Sequence, residues 1–124
     1  MSNVYDPNVA PSANWLDLDE DERLELVSSY HRRSKIKLPN TELHAVIHVV
    51  VENQLAMGER VVVATLARLQ AEGLDRHDAL HAIGSVLSAY LYDLMRDESD
   101  AKDVTYARYL EGLETLSASS WRAS

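Results

Sequence analysis

The sequence predicts an all-α protein, an antiparallel helical bundle of four to five helices. Apolar residues recur at intervals of three and four along most of the chain, which is the spacing that lines one face of a helix. Glycines stand at the ends of these stretches, and acidic or amide side chains stand at their beginnings, where helices need stops and caps. The connections are short, which favours antiparallel packing of neighbouring helices.

The first helix is predicted near residues 18–34. Asp17 is placed to cap it, and acidic side chains crowd its first turn, where they complement the helix dipole. The sequence LPN at 38–40 interrupts the pattern. A second helix is predicted at about 41–57, and Gly58 ends it because glycine easily takes the backbone conformation that closes a helix.

The third helix is predicted at about 59–72 and is stopped by Gly73. Asp75 is the expected cap of a fourth helix, at about 76–96. A fifth helix is predicted at about 101–117, where tyrosine and leucine residues recur at helical spacing.

Two runs of three valines, at 49–51 and 61–63, favour a β-strand when they are taken alone, because branched side chains suit a sheet. The flanking residues, the caps and the lengths of the two segments are helical. We therefore predict helix at both runs.

The 124 residues are enough for one domain of ordinary size, and the chain has neither an internal repeat nor a low-complexity linker. Residues 15–117 are the expected helical domain. Residues 1–14 contain prolines and few apolar side chains, so we expect a flexible arm, and 118–124 are expected to be a flexible tail.

The composition excludes several kinds of partner and site. The net charge of −8 offers no basic surface to a phosphate backbone, so no nucleic acid partner is expected. The absence of cysteine excludes disulfides and thiolate metal sites and agrees with a cytoplasmic location. No apolar run is long enough to span a membrane, and the first residues lack the pattern of a signal peptide.

Two pairs of histidines are the most unusual feature of the sequence. His44 and His48 lie four apart in the apolar run LHAVIHVVVENQ, and Glu52 continues their line; His77 and His81 repeat the spacing later. Residues four apart share one face of a helix. A buried polar group without a partner costs about 1–3 kcal/mol, so imidazoles in such surroundings need partners or a wet cleft.

Three interpretations follow. In the first, the two pairs face each other and bind a divalent transition metal such as Zn, Fe or Ni, which imidazole suits. In the second, they form a structural polar layer that fixes how the helices dock. In the third, one pair is exposed to solvent, and His77 is its expected exposed member. His31, in the basic run HRRSKIK, is expected either at the surface or as a side chain that complements the helix dipole.

The motif N-x-x-LH-x-x-x-H-x-x-x-E-x-Q, followed by H-x-x-x-H and a downstream Y-x-x-x-L, resembles a small bacterial family of unknown function (domain of unknown function 1841) with paired HxxxH motifs. The resemblance covers residues 38–113 and implies a small helical bacterial protein with no particular activity. The matching positions are Asn40, Leu43, His44, His48, Glu52, Gln54, His77, His81, Tyr106 and Leu110.

His48 with Glu52, and His77 with His81, are also similar to the middle of a hemerythrin-type di-iron site. That resemblance implies one further histidine on the first helix, for which His31 is available, and a histidine and an aspartate on the last helix. No histidine follows His81, so an oxygen-binding di-iron centre is not supported. A mononuclear site needs fewer ligands and remains open.

Two functions from different classes therefore remain. The chain is expected to be a binding or interaction module without an assignable reaction, which forms a homodimer or binds another protein. The alternative is a metal-binding helical protein with hydrolytic or redox activity. In that case His44, His48, His77 and His81 are ligands, and Glu52 is a fifth ligand or a general base that acts on bound water.

Overall fold

The computed structural model describes residues 5–11, 14–33, 41–96 and 102–123. The predicted all-α class is confirmed: the described residues form helices that pack against one another and contain no strand. The predicted break at 38–40, Asn40 and the first residue of the predicted fifth helix lie outside the described residues. A short 3-10 helix, Trp15–Asp17, precedes six α-helices: α1 (Glu20–Arg33), α2 (Thr41–Ala56), α3 (Arg60–Ala71), α4 (Arg76–Arg96), α5 (Lys102–Thr115) and α6 (Ala118–Ala123).

The two glycines predicted to stop helices do so. Gly58, after α2, has φ +75°, and Gly73, after α3, has φ +105°. These are left-handed conformations that glycine adopts without the steric cost a side chain would bring. Beyond Gly73 the amide of Leu74 donates to the carbonyl of Leu69 over 3.1 Å, which satisfies one of the carbonyls left open at the end of α3.

The predicted helix caps are confirmed in one case and corrected in another. Asp75 accepts a 2.7 Å hydrogen bond from the amide of Asp78, as the cap of α4 should. At α1 the capping side chain is Asp19, which accepts from the amide of Glu22 over 2.8 Å. The predicted cap, Asp17, instead ends the 3-10 helix, because this extra turn shifts the start of α1 by two residues.

Both valine runs are helical, as predicted. Val49 and Val51 of α2 and Val62 of α3 are fully buried. Tertiary packing thus outweighs the preference of branched residues for strands. Close approach of helices is also visible at Gly84 of α4, where an added Cβ atom would lie 3.0 Å from the Cγ2 atom of Ile47 on α2.

The described parts of the expected arm and tail contact the helices. Tyr5 and Pro7 are buried against the helices, because the arm carries polar groups that bond to α2 and α4. In the expected tail, Ala118 begins the short helix α6, is 2 % exposed and donates its amide to Glu72 over 2.8 Å. Within the described ranges, no helix has the length and apolar character needed to cross a membrane.

Candidate metal centre

All five histidines of the chain meet between three helices. His31 comes from the last turn of α1, His44 and His48 come from α2, and His77 and His81 come from the first turns of α4. The four-residue spacing puts both members of each pair on the side of the helix that faces the other elements. Packing of α2 against both α1 and α4 then brings the three groups together.

The histidine rings lie at distances that suit a common ligand. One nitrogen atom from each of His31, His44, His48 and His81 lies within 4.8 Å of the others. The ring centre of His44 is 4.7 Å from those of His31 and His48 and 4.8 Å from that of His81. A tetrahedral ion bound to four imidazoles at about 2.0–2.1 Å would hold their ring centres about 5 Å apart.

The fifth histidine stands at the edge of this group. The ring centre of His77 is 4.3 Å from that of His81 and 5.7 Å from that of His48. Its Nε2 atom is buried, although the residue as a whole is only partly so. His77 therefore supplies a further nitrogen donor next to the four-histidine group.

Three ring nitrogens of the cluster have no partner among the described residues. The Nε2 atoms of His31, His44 and His77 are buried and make no hydrogen bond to that part of the chain. Leaving three such atoms unpaired costs about 3–9 kcal/mol in total, against a whole folding free energy of about 5–15 kcal/mol for a domain. Such a cost favours a shared ligand for the two atoms that belong to the four-histidine group, those of His31 and His44.

The proton on His31 is placed by the backbone. Its Nδ1 atom lies 2.8 Å from the carbonyl oxygen of Val27, one helical turn earlier. A carbonyl oxygen only accepts, so Nδ1 carries the hydrogen and donates it. The Nε2 atom of His31 is left with a lone pair, which is the form that coordinates a metal.

The cluster also favours neutral rings. Burial, assisted by repulsion from the neighbouring histidines, lowers the pKa of His48 to about 2. The same causes lower the pKa of His44 and of His81 to about 4, and burial lowers the pKa of His77. At neutral pH these imidazoles keep their lone pairs, so no proton competes with an incoming ion.

Glu52 lies beside the cluster but is held in a separate network. It is fully buried, and its two oxygens accept hydrogen bonds of 2.7 and 2.8 Å from the guanidinium of Arg76. The hydroxyl of Tyr5 donates to the same carboxylate over 2.6 Å. Glu52 thus already accepts three hydrogen bonds from two residues. Among the described residues, the group of potential metal ligands consists of histidines alone.

The sequence-derived site and the structural site overlap without being identical. His44, His48 and His81 meet as expected, with His77 beside them. Of the two expectations for His31, the surface position is wrong: the residue is 5 % exposed, because the last turn of α1 faces α2. Its signal in the sequence was its position four residues after the buried Val27 on the apolar stripe of α1.

Comparison with protein-family models, curated proteins and solved structures found no match to this chain. The resemblance to a bacterial family of unknown function therefore remains a prediction, and the geometry of the site carries the functional argument alone.

Proposed function

We propose that the protein binds one divalent transition ion through its histidine cluster. His31, His44, His48 and His81 supply the first four nitrogen donors, and His77 supplies a fifth or replaces one of them. The observation that carries the proposal is the convergence of one nitrogen from each of four histidines within 4.8 Å. Two of these histidines, His31 and His44, have a buried Nε2 atom that bonds to no described residue. An ion shared by these nitrogens would remove the energetic cost of leaving them unpaired.

The imidazole nitrogens of the cluster limit which metal ions it can bind. Neutral imidazole suits Zn, Fe, Ni and Cu, whereas Mg and Ca prefer oxygen ligands. No thiolate is available because the chain has no cysteine. The nearby carboxylate of Glu52 is matched by Arg76, so it does not add negative charge to the cluster.

Burial of the ring nitrogens favours holding an ion over turning over a substrate. A hydrolytic metal site keeps an open position for water and substrate, and the candidate base must reach that water. Here the unpaired nitrogens are shielded from solvent, and Glu52 is bonded to Arg76 and Tyr5. We therefore propose that the cluster is a closed site, which holds a metal ion for structural stability or for metal sensing. The protein is then not a hydrolase.

The test is thermal unfolding of the untagged, metal-stripped protein with zinc, nickel or magnesium added. An ion that binds only the folded state at 100 times its Kd stabilises it by about 2.7 kcal/mol. We expect zinc and nickel to raise the Tm by several degrees, a chelator to reverse the rise, and magnesium to have no effect. Equal Tm values in all samples would reject the proposal.

A second proposed function is a protein-interaction module that acts as a homodimer. Leu43 and Val46 lie three residues apart on α2 and are 49 % and 39 % exposed, so they form a small apolar patch on one helix face. Sedimentation of the full chain over a hundredfold concentration range tests it. A rising average mass, reversed by Val46→Glu, supports the dimer, and a monomer at every concentration rejects it. Both proposals include a cytoplasmic location, which agrees with the lack of cysteine, and a bacterial origin, which rests on the family resemblance alone.

A further inference from the structure

The N-terminal segment, residues 5–8, bonds to the histidine cluster at two places. The hydroxyl oxygen of Tyr5 lies 3.2 Å from the Nδ1 atom of His48. The side-chain oxygen of Asn8 accepts the backbone amide of His77 over 3.0 Å. These contacts join residues more than 40 positions apart in the chain, so the segment connects one histidine of α2 to one histidine of α4.

Hydrogen-bond directions in this network fix the proton of His48. Both oxygens of Glu52 accept from Arg76, and an ionised carboxylate cannot donate. The 2.6 Å bond from Tyr5 to Glu52 therefore uses the hydroxyl hydrogen of Tyr5. The tyrosine oxygen is left with lone pairs only, so the Nδ1 atom of His48 must carry a hydrogen and donate it.

The consequence appears on the other side of the ring. With its hydrogen on Nδ1, His48 presents a lone pair at Nε2, and this atom lies 3.1 Å from the Nε2 atom of His81. The backbone carbonyl of Val27 imposes the same form on His31. A hydrogen-bond acceptor on the ring nitrogen that does not bind the metal orients a metal-bound histidine. Loss of such an acceptor commonly weakens metal binding about 10–100-fold.

The buried ion pair holds the segment in place. Besides Glu52, the guanidinium of Arg76 donates to the carbonyl oxygen of Pro7 over 3.0 Å. Glu52 and Arg76 are 0 % and 8 % exposed. A buried ion pair adds little net stability compared with apolar residues of similar volume. Stability alone therefore does not explain why this ion pair is present. Its hydrogen bonds to Tyr5 and Pro7 do, because they fix the position of the segment.

We propose that Tyr5 is a positioning residue for the metal centre, and that the segment 5–8 must be packed against α2 and α4 for the ion to bind tightly. Tyr5 acts through His48, whose tautomer it sets, and the Glu52–Arg76 pair sets the proton direction of Tyr5. This inference rests on the proposed metal function. It adds the prediction that the segment preceding the first helix determines the affinity and the release of the ion.

The variant Tyr5→Phe tests the proposal, because it keeps the ring and removes only the hydroxyl. Tyr109→Phe is the matched control: the hydroxyl of Tyr109 is also buried, and it donates over 2.7 Å to Gln54, away from the histidines. Zinc affinity is measured by competition with a chromophoric chelator. We expect Tyr5→Phe to weaken zinc binding about 10–100-fold and to speed its release, and Tyr109→Phe to leave both unchanged. Equal affinities for wild type and Tyr5→Phe would overturn the proposal.

A second measurement needs no metal and no variant. Long-range nitrogen–proton NMR correlations of the metal-free wild type report which nitrogen of His48 is protonated. The proposal requires a hydrogen on Nδ1, and a hydrogen on Nε2 would overturn it even if Tyr5→Phe fails to fold. If wild type binds no zinc while His48 has its hydrogen on Nδ1, the metal function fails but the positioning of His48 by Tyr5 stands.

Discussion

The Nε2 atoms of His48 and His81 lie 3.1 Å apart, although the two residues are on different helices and 33 positions apart in the chain. Because Tyr5 places the hydrogen of His48 on Nδ1, the Nε2 atom of His48 can only accept here. In the metal-free protein the shared hydrogen therefore sits on Nε2 of His81. An ion between the two rings would replace this hydrogen bond, and His81 would move its hydrogen to Nδ1.

Replacement of His31 distinguishes the structural site from the one expected from the histidine pairs alone. His31→Asn is expected to lower zinc affinity at least about 10-fold, because it removes one of four convergent nitrogens. The measurement is chelator competition, with the exposed neighbour Arg32→Asn as the control. Unchanged affinity in His31→Asn would limit the site to the ligands on α2 and α4.

The stability of the metal-free protein should depend on pH in a defined direction. The pKa values of His44 and His81 are about 4 and that of His48 is about 2 in the folded chain, below the usual value of 6.5. Below pH 6.5 the unfolded chain takes up protons that the folded chain does not, so the free energy of unfolding falls as the pH falls towards 4. It should stay level between pH 7 and 8. Urea unfolding at half-unit pH steps measures this, and a stability that rises on acidification contradicts it.

Substitution of a metal-ligating histidine should weaken zinc binding and stabilise the metal-free protein. His44→Leu removes a buried nitrogen that has no partner and fills a similar volume, so we expect the metal-free protein to gain about 1–3 kcal/mol while zinc binding weakens. His44→Gln is the matched variant, because it also removes the ring but keeps a polar group. Urea unfolding of both proteins should show the gain only for leucine. A loss of stability in His44→Leu would show that His44 has a partner in the metal-free protein.

The Glu52–Arg76 pair should behave as a coupled unit. Each single variant, Glu52→Leu or Arg76→Met, leaves one buried charge without its partner and is expected to cost about 3–5 kcal/mol. The double variant should lose clearly less than the two single losses added together, because it removes both charges. Chemical unfolding of the four proteins measures the coupling. Additive losses would mean that the two residues do not stabilise each other.

The helices were predictable because their signals are local. Gly58 and Gly73 end α2 and α3, and Asp75 caps α4, all by bonds within a few residues. The extra 3-10 turn before α1 was missed, because Asp17 and Asp19 carry the same capping chemistry and only the backbone decides between them.

The histidine cluster was predictable in part. His44 with His48, and His77 with His81, are recognisable since a helix puts residues four apart on one face. His31 and Tyr5 join them only through packing between distant segments, which no spacing in the sequence expresses. Glu52 is predicted to lie near the metal, because a carboxylate can bind either a metal ion or a guanidinium. Only the fold shows that Arg76 lies against it.

The most direct test of the central claim is the metal content of the untagged protein after equilibrium dialysis against zinc, measured by elemental analysis. We expect one zinc ion per chain for wild type, and a lower zinc content in the His44→Leu protein because its binding is weaker. Wild-type protein with no zinc above the level of the dialysis buffer, or with the same zinc content as the His44→Leu protein, would contradict it.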